Sequence, residues 1–278
     1  MRLKLSNLKT YIVAEIGWNF LGNLKLAKKM INTAKKNGAD AAKLQIWDPK
    51  YLKEGSWDHD GRREIYNKAK LNMKKYNILK NYCKKNKILC FASVFNLKSC
   101  KDLKNNKDKI VKIPSHEAYN KELIKYALKN FNTVILSAGA ITQKELKFLE
   151  KFKNSNKLII LHCVSSYPLK SENVNFQKFF HLKNIFKKVG YSGHLEGLDD
   201  AYLAISSGAV MLEKHFSIDN NLPGRDNKFA ILPRELSIIV KYRDKVEQMN
   251  KKKGLGLQKC EQDIYKNYRG RWSKNLEN

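Results

Sequence analysis

Acidic side chains are scarce in this sequence: 26 Asp and Glu face 55 Lys and Arg over 278 residues, for a net charge of +29. The surplus is almost all Lys, spread through segments such as KLAKKM, KKYNILK and KKNKIL and not gathered into one tract. Such dispersal marks solvated helix faces, so no nucleic-acid partner is expected, while the summed field still favours anionic substrates. Cysteine is sparse and odd in number (Cys83, Cys90, Cys100, Cys163, Cys260), with no CxxC. That argues against a disulfide framework or a zinc cluster and suits reduced thiols in a cytoplasm. No stretch reaches the roughly 20 apolar residues of a membrane helix. The N-terminus enters an apolar strand almost at once, with no leader-like run before it, so no membrane partner is expected. HxxxH and HExxH are absent, and no GxGxxG follows the first strand, which counts against a dinucleotide fold.

What the sequence does hold is eight apolar runs of strand length, alternating with amphipathic segments. The runs are YIVAEIG (11–17), AAKLQIW (41–47), ILCFASVF (88–95), IVKIPS (110–115), TVILSAG (133–139), LIILHCVSS (158–166), KVGYSGH (188–194) and AVMLEKHF (209–216). Their centres are continuously apolar, as in strands covered on both faces. Helices are predicted over 24–40, with an apolar stripe through Leu24, Ala27, Met30, Ile31 and Ala34 and a stop at Gly38. Others are predicted over 142–152, opened by a Thr142–Glu145 capping box, and over 232–249, with Pro233 in the first turn. Eight successive β-α units predict an α/β protein of TIM (β/α)8 barrel type, one domain over 1–278 with a short tail from about 253. A doubly wound open sheet is the competitor.

Polar residues collect at the C-terminal ends of these runs, which in a barrel form the catalytic face. They are Glu15, Lys43, Gln45, Ser93, Lys112, Ser115, Ser137, Ser165, Tyr167, Ser192, His194, Glu213 and His215. A charge inside an apolar strand is expensive unless it is paired or functional. For Lys43 and Lys112 the bland alternative is a stem that snorkels to solvent. For Ser93, Ser137 and Ser165 it is a hydroxyl bonded to backbone, and for either histidine alone it is a surface ring. Two lysines with several hydroxyls make a phosphate or carboxylate site. Two histidines and two glutamates suit a divalent Lewis acid at a carbonyl oxygen. Together they suit addition of a phosphorylated carbon nucleophile to an aldehyde or ketone.

The motifs EIGWNFLG (15–22), GADAAKLQ (38–45), KIPSHEAYN, ILSAGA, LHCVSSYP, VGYSGH and EKHF occur in an order that resembles the N-acetylneuraminate (sialic acid) synthase family, with its legionaminic and pseudaminic acid relatives. The likeness covers about residues 10–275. It implies a TIM barrel that condenses phosphoenolpyruvate with an N-acylated hexosamine, N-acetylmannosamine-like, to a nine-carbon 2-keto acid and phosphate. It implies that Lys43, Ser93, Lys112, Ser115, Ser137 and Ser192 hold phosphoenolpyruvate. His194 and His215 would bind Mn2+, or else Mg2+ or Co2+. Gln45, Tyr167 and Asp226 would contact the sugar, and Glu15 and Glu213 would handle protons and water. Glu117 in KIPSHEAYN and Ser165 in LHCVSSYP belong to the same substrate-binding set.

The sequence also departs from the family pattern. NHxG becomes NFLG, placing Phe20 where a histidine near the site is usual; SDH becomes SGH, with Gly193 for an aspartate; GPDH becomes GRDN, so Arg225 and Asn227 alter the sugar side. Full-length members continue into an antifreeze-like (SAF) domain that caps the partner's site in a swapped dimer, whereas this sequence ends at YRGRWSKNLEN. The cap is therefore expected from a separate SAF protein or a homodimer arrangement, with Arg269 and Arg271 as candidates to cover the mouth. Two further readings stay open: a synthase with a different aldose acceptor, and a catalytically impaired barrel acting as a binding or assembly subunit.

Overall fold

The computed structural model describes residues 3, 5, 6, 8–55, 59 and 61–272. The chain runs β1 (Tyr11–Gly17), α1 (Leu24–Lys36), β2 (Ala41–Ile46), α2 (Arg62–Ala69), α3 (Met73–Lys85), β3 (Leu89–Val94), α4 (Leu97–Asn105), β4 (Ile110–Ile113), α5 (Lys121–Asn130) and β5 (Thr133–Ser137). It continues through α6 (Gln143–Glu150), β6 (Leu158–His162), α7 (Gln177–Ile185), β7 (Val189–Gly193), α8 (Asp199–Ser206), β8 (Met211–His215), α9 (Pro233–Met249) and α10 (Gln262–Asn267). The strands form one closed parallel barrel in sequence order, β8 pairing with β1. Closure rules out the open sheet.

Alternation along each strand splits the buried residues into two clusters. Val13, Ala41, Leu89, Phe91, Ile110, Ile135, Ile159, Leu161 and Met211 form one. They come from the early parts of seven strands and plug the barrel interior. The larger cluster lies between strands and helices and takes Ala27, Met30, Ile31 and Ala34, the stripe expected on α1. Two residues further along each strand the inward face turns polar: Glu15 after Val13, Lys43 after Ala41, Ser93 after Phe91, Lys112 after Ile110, Ser137 after Ile135. Register brings these positions level. Glu15 lies opposite Lys43 and His215, Gln45 opposite Ser93, Ser93 opposite Lys112, and Ser192 opposite Glu213.

The strands are shorter at the mouth than expected. β4 ends at Ile113 because Pro114 has no N–H to donate, and Ser115 starts a single 3-10 turn. β6 ends at His162, five residues before the cis Tyr167–Pro168 peptide. α1 ends at Lys36, and the expected stop at Gly38 forms just beyond it. Asn37 caps it, and Gly38 adopts a φ of +89°, with a methyl there only 2.7 Å from Val240 of α9. The Thr142 box forms as expected: Thr142 N–H donates to Glu145 Oε2 at 2.7 Å, and Glu145 N–H to Thr142 Oγ1 at 3.3 Å. At α9 the Glu235 carboxylate caps the Leu232 N–H at 2.7 Å, with Pro233 in the first turn. Residues 250–272, with α10, are exposed throughout.

Candidate active site

A buried charged network fills the barrel just above the apolar plug. Lys112 Nζ donates to both oxygens of Glu213, at 2.9 and 3.1 Å. Lys43 Nζ lies 3.1 Å from Glu213 Oε1 and 3.0 Å from Glu15 Oε2, and donates to Ser93 Oγ at 3.0 Å. Ser192 donates to Glu213 at 3.1 Å, and Gln45 Nε2 to Glu15 Oε1 at 2.7 Å. Lys43 and Lys112 are 4% and 1% exposed, so neither snorkels. Ser93 bonds a lysine and not backbone.

The two carboxylates are driven apart by their neighbours. Opposite charges 3 Å apart attract by about 5 kcal/mol at an effective dielectric of about 20, against a desolvation cost of several kcal/mol per ion. Burial pushes both carboxyls up. Glu213 has two ammonium partners, Lys112 and Lys43, and is held well below the usual carboxylate range. Glu15 is raised to about 7, chiefly by burial; Lys43 lowers it and the Glu213 charge raises it. One carboxylate is therefore fixed as an anion, while the other can hold or release a proton near neutrality.

His194 and His215 stand on the same rim, ring centres 5.5 Å apart and both buried. The Tyr167 ring packs 4.3 Å from His194. Burial lowers the His194 pKa to about 4 and puts His215 well below the usual imidazole value, so both rings are neutral at pH 7. His194 Nδ1 donates to the Val164 carbonyl at 2.8 Å, which frees Nε2 as an acceptor. His215 Nδ1 is buried without a hydrogen-bond partner, 3.5 Å from Asp226 Oδ2. No group of three or more His, Cys, Asp or Glu with metal-binding arrangement occurs among the described residues. Two neutral imidazoles, one with its tautomer set by a backbone carbonyl, nevertheless fit a divalent ion that takes its other ligands from substrate and water.

The remaining sequence candidates fall around this centre. Ser115 and Ser165 hydroxyls bond each other at 2.7 Å, and Ser137 is buried on the inward face of β5. Asp226 accepts from Trp18 Nε1, and its carboxyl is raised to about 6, mainly by burial. Glu117 lies apart: it is half-buried and accepts from Asn120 at 3.2 Å, with no bond to the charged network among the described residues.

The residues that depart from the family pattern, and the two tail arginines, find partners within the chain itself. Phe20 is 1% exposed and packs within the shell between strands and helices, where an apolar ring belongs. Asn227 is held inside the loop after β8. Fully buried, it donates to the Asn19 and Pro223 carbonyls at 3.0 and 2.9 Å and braces the loop after β8. Arg269 and Arg271 stack on Tyr265 and Tyr268 of the exposed tail, so no role over the mouth follows from their placement. Arg225 is exposed and donates to the Tyr167 carbonyl at 3.2 Å.

Sequence reasoning passed over several residues. Trp18 holds Asp226, and the His116 ring stacks on Phe95 at 5.1 Å. Lys214 and Asp200 form a buried ion pair of 2.9 Å on the outer face of the barrel. The signal for Lys214 was present, a lysine inside an apolar strand, and only its parity with Glu213 separates it from the inward set.

The match to a family model now has a site to attach to. The model described as NeuB family matches residues 30–254. The chain belongs to the NeuB family. A NeuB relative from Campylobacter jejuni, N,N'-diacetyllegionaminic acid synthase, is 33% identical over 276 residues, covering 93% of this chain and 82% of the relative. Pseudaminic acid synthase of the same organism is 32% identical, covering 93% and 79%. Among solved structures, the N-acetylneuraminic acid (sialic acid) synthetase of Leptospira borgpetersenii in complex with citrate superposes with a TM-score of 0.86 at 31% identity, covering 97% of this chain and 96% of that one. Among the described residues, no helix is long and apolar enough to cross a membrane.

Proposed function

We propose that this NeuB-family chain is a phosphoenolpyruvate-dependent sugar-acid synthase. It joins phosphoenolpyruvate to an N-acylated hexosamine and releases phosphate, giving a nine-carbon 2-keto acid of the sialic, legionaminic or pseudaminic type. The observation that carries this reading is the pair of buried lysines, held around one carboxylate on the same barrel rim as two neutral imidazoles. The synthases named among the relatives support it.

Lys43 and Lys112 supply fixed positive charge to the phosphate and carboxylate of phosphoenolpyruvate, and the hydroxyls of Ser93, Ser115, Ser137 and Ser192 supply directed donors. Glu213 keeps both ammonium groups in place before substrate arrives, so little reorganisation is left for the reaction. C3 of the enol attacks the aldehyde carbon of the open-chain sugar. Water adds at C2, and the phosphate leaves. Glu15, with its pKa near 7, is placed to take a proton from that water, and the oxygen of the former aldehyde takes up a proton to become a hydroxyl. His194 and His215 would hold a divalent ion, Mn2+ first and Mg2+ or Co2+ as alternatives, which when bound polarises the aldehyde. Gln45, Tyr167 and Asp226 contact the sugar, and the reaction runs in the cytoplasm.

Phosphate release from phosphoenolpyruvate, with Mn2+ and a panel of mono- and di-N-acylated hexosamines, tests the reading. Turnover with at least one acceptor, lost in EDTA and restored by Mn2+, is expected. His215→Ala should remove metal-dependent turnover and leave the circular dichroism spectrum unchanged. Mn2+ binding without phosphate release for any acceptor would overturn the synthase reading, and full activity in His215→Ala would overturn the ligand assignment.

A further inference from the structure

Behind the two imidazoles, on the outer face of the barrel, lies a charged pair that the proposed chemistry does not use. Lys214 precedes His215 on β8, and its side chain points away from the barrel interior into the layer covered by α8. Lys214 is 3% exposed, and its ammonium makes three bonds. Two go to the Asp200 carboxylate, at 2.9 and 3.1 Å, and one to the carbonyl of Leu195 at 2.7 Å. Leu195 directly follows His194. One ammonium group thus ties the backbone just after one imidazole to the backbone just before the other. Tyr191, two residues before Gly193, adds a hydroxyl to Asp200 Oδ2 at 3.3 Å.

Residue 193 is glycine for a reason visible in the same place. A Cβ built there would sit 2.2 Å from Asp200 Oδ2, 2.7 Å from the Tyr191 ring and 3.0 Å from the Lys214 stem. The Asp200 carboxylate fills the space that a side chain at 193 would enter. A side chain at 193 and the Asp200 carboxylate therefore cannot share this space. With Gly193 at this place in the strand, the carboxylate beside Lys214 comes from the helix.

We propose that Asp200 is a positioning residue: its ion pair with Lys214 fixes the spacing of His194 and His215, and it does so from the place left open by Gly193. The energetic case is direct. A buried pair adds little over apolar packing, but removing one partner strands the other charge and is strongly destabilising. Lys214 without Asp200 must move toward water, and the segments that carry both rings move with it. The structural part of the inference does not depend on the proposed reaction; only the metal arm of the test rests on that reading.

The test uses the full chain with histidine labelled by 13C and 15N, and with His194→Gln and His215→Gln to identify the two ring signals. In the metal-free protein, Asp200→Ala is expected to displace both ring signals, Asp200→Asn to displace them less, and Gly193→Asp to displace them as Asp200→Ala does. The exchange variant Gly193→Asp/Asp200→Ala should return both signals toward their wild-type positions. Mn2+ affinity, read from the electron paramagnetic resonance of free Mn2+, should weaken at least tenfold in either single variant and recover to within about threefold in the exchange variant. Ring signals unmoved in Asp200→Ala, even with a lowered melting temperature, would overturn the proposal, because the pair would then serve the fold alone. If Asp200→Ala does not fold, Asp200→Asn decides by the same criterion. Ring displacement and rescue without any Mn2+ binding by the wild type would uphold the positioning role and count against the metal reading instead.

Discussion

At the scale of single residues, the site is a contest between desolvation and pairing. Lys112 and Glu213 depend on each other, so Lys112→Met should cost about 3 kcal/mol of stability by leaving a buried carboxylate with one cation in place of two. The double variant Lys112→Met/Glu213→Gln should regain much of that stability in urea unfolding while phosphate release stays more than 100-fold down. Glu15 sets a pH dependence of defined sign. Its carboxyl titrates at about 7 in the folded chain against a reference of 4.5, so folding binds a proton between these values. Stability from this group is therefore present at low pH and lost as pH rises from about 4.5 to 7, at no more than about 1.4 kcal/mol per pH unit. Glu15→Gln has no such loss. Its melting temperature relative to wild type should rise across that window, and a flat difference would show that Glu15 titrates normally. Lys43 and Lys112 were legible in the sequence because a charge inside an apolar strand is conspicuous. The role of Asp200 was not, because nothing in LEGLDDAYL separates a buried carboxylate from a solvated one at a helix start.

At the scale of elements, strand alternation does most of the work. The same two-residue period that builds the apolar plug from Val13, Ala41 and Phe91 delivers Glu15, Lys43 and Ser93 to the mouth two positions later. Helix ends are set by local chemistry and were readable at Thr142 and Pro233. The stop of α1 at Gly38 was readable too: the glycine lies just past the Asn37 cap, in a left-handed turn against α9. Gly38→Ala combines a φ of +89° with a 2.7 Å approach to Val240. It should cost about 2 kcal/mol and lower the melting temperature by roughly 3–4 °C. Calorimetry with no shift would show that α9 gives way freely.

At the scale of the whole molecule, the barrel closes without help from the tail. Residues 250–272 are exposed throughout, so ending the chain at 250 removes almost no buried surface. The shortened chain should melt within about 1 °C of the full one, and a larger drop would place the tail in the barrel's cooperative unit. If catalysis needs the tail, turnover will fall while the melting temperature holds.

The order of eight apolar runs, the polar residue at the end of each, and the family they spell were determined by the sequence alone, because period, composition and motif order are properties of the chain. Which polar residues face inward, which partner each finds, and that Phe20 and Asn227 are packed into the walls were decided by the tertiary structure. Facing and pairing depend on register between strands far apart in sequence, and register exists only once the barrel has closed.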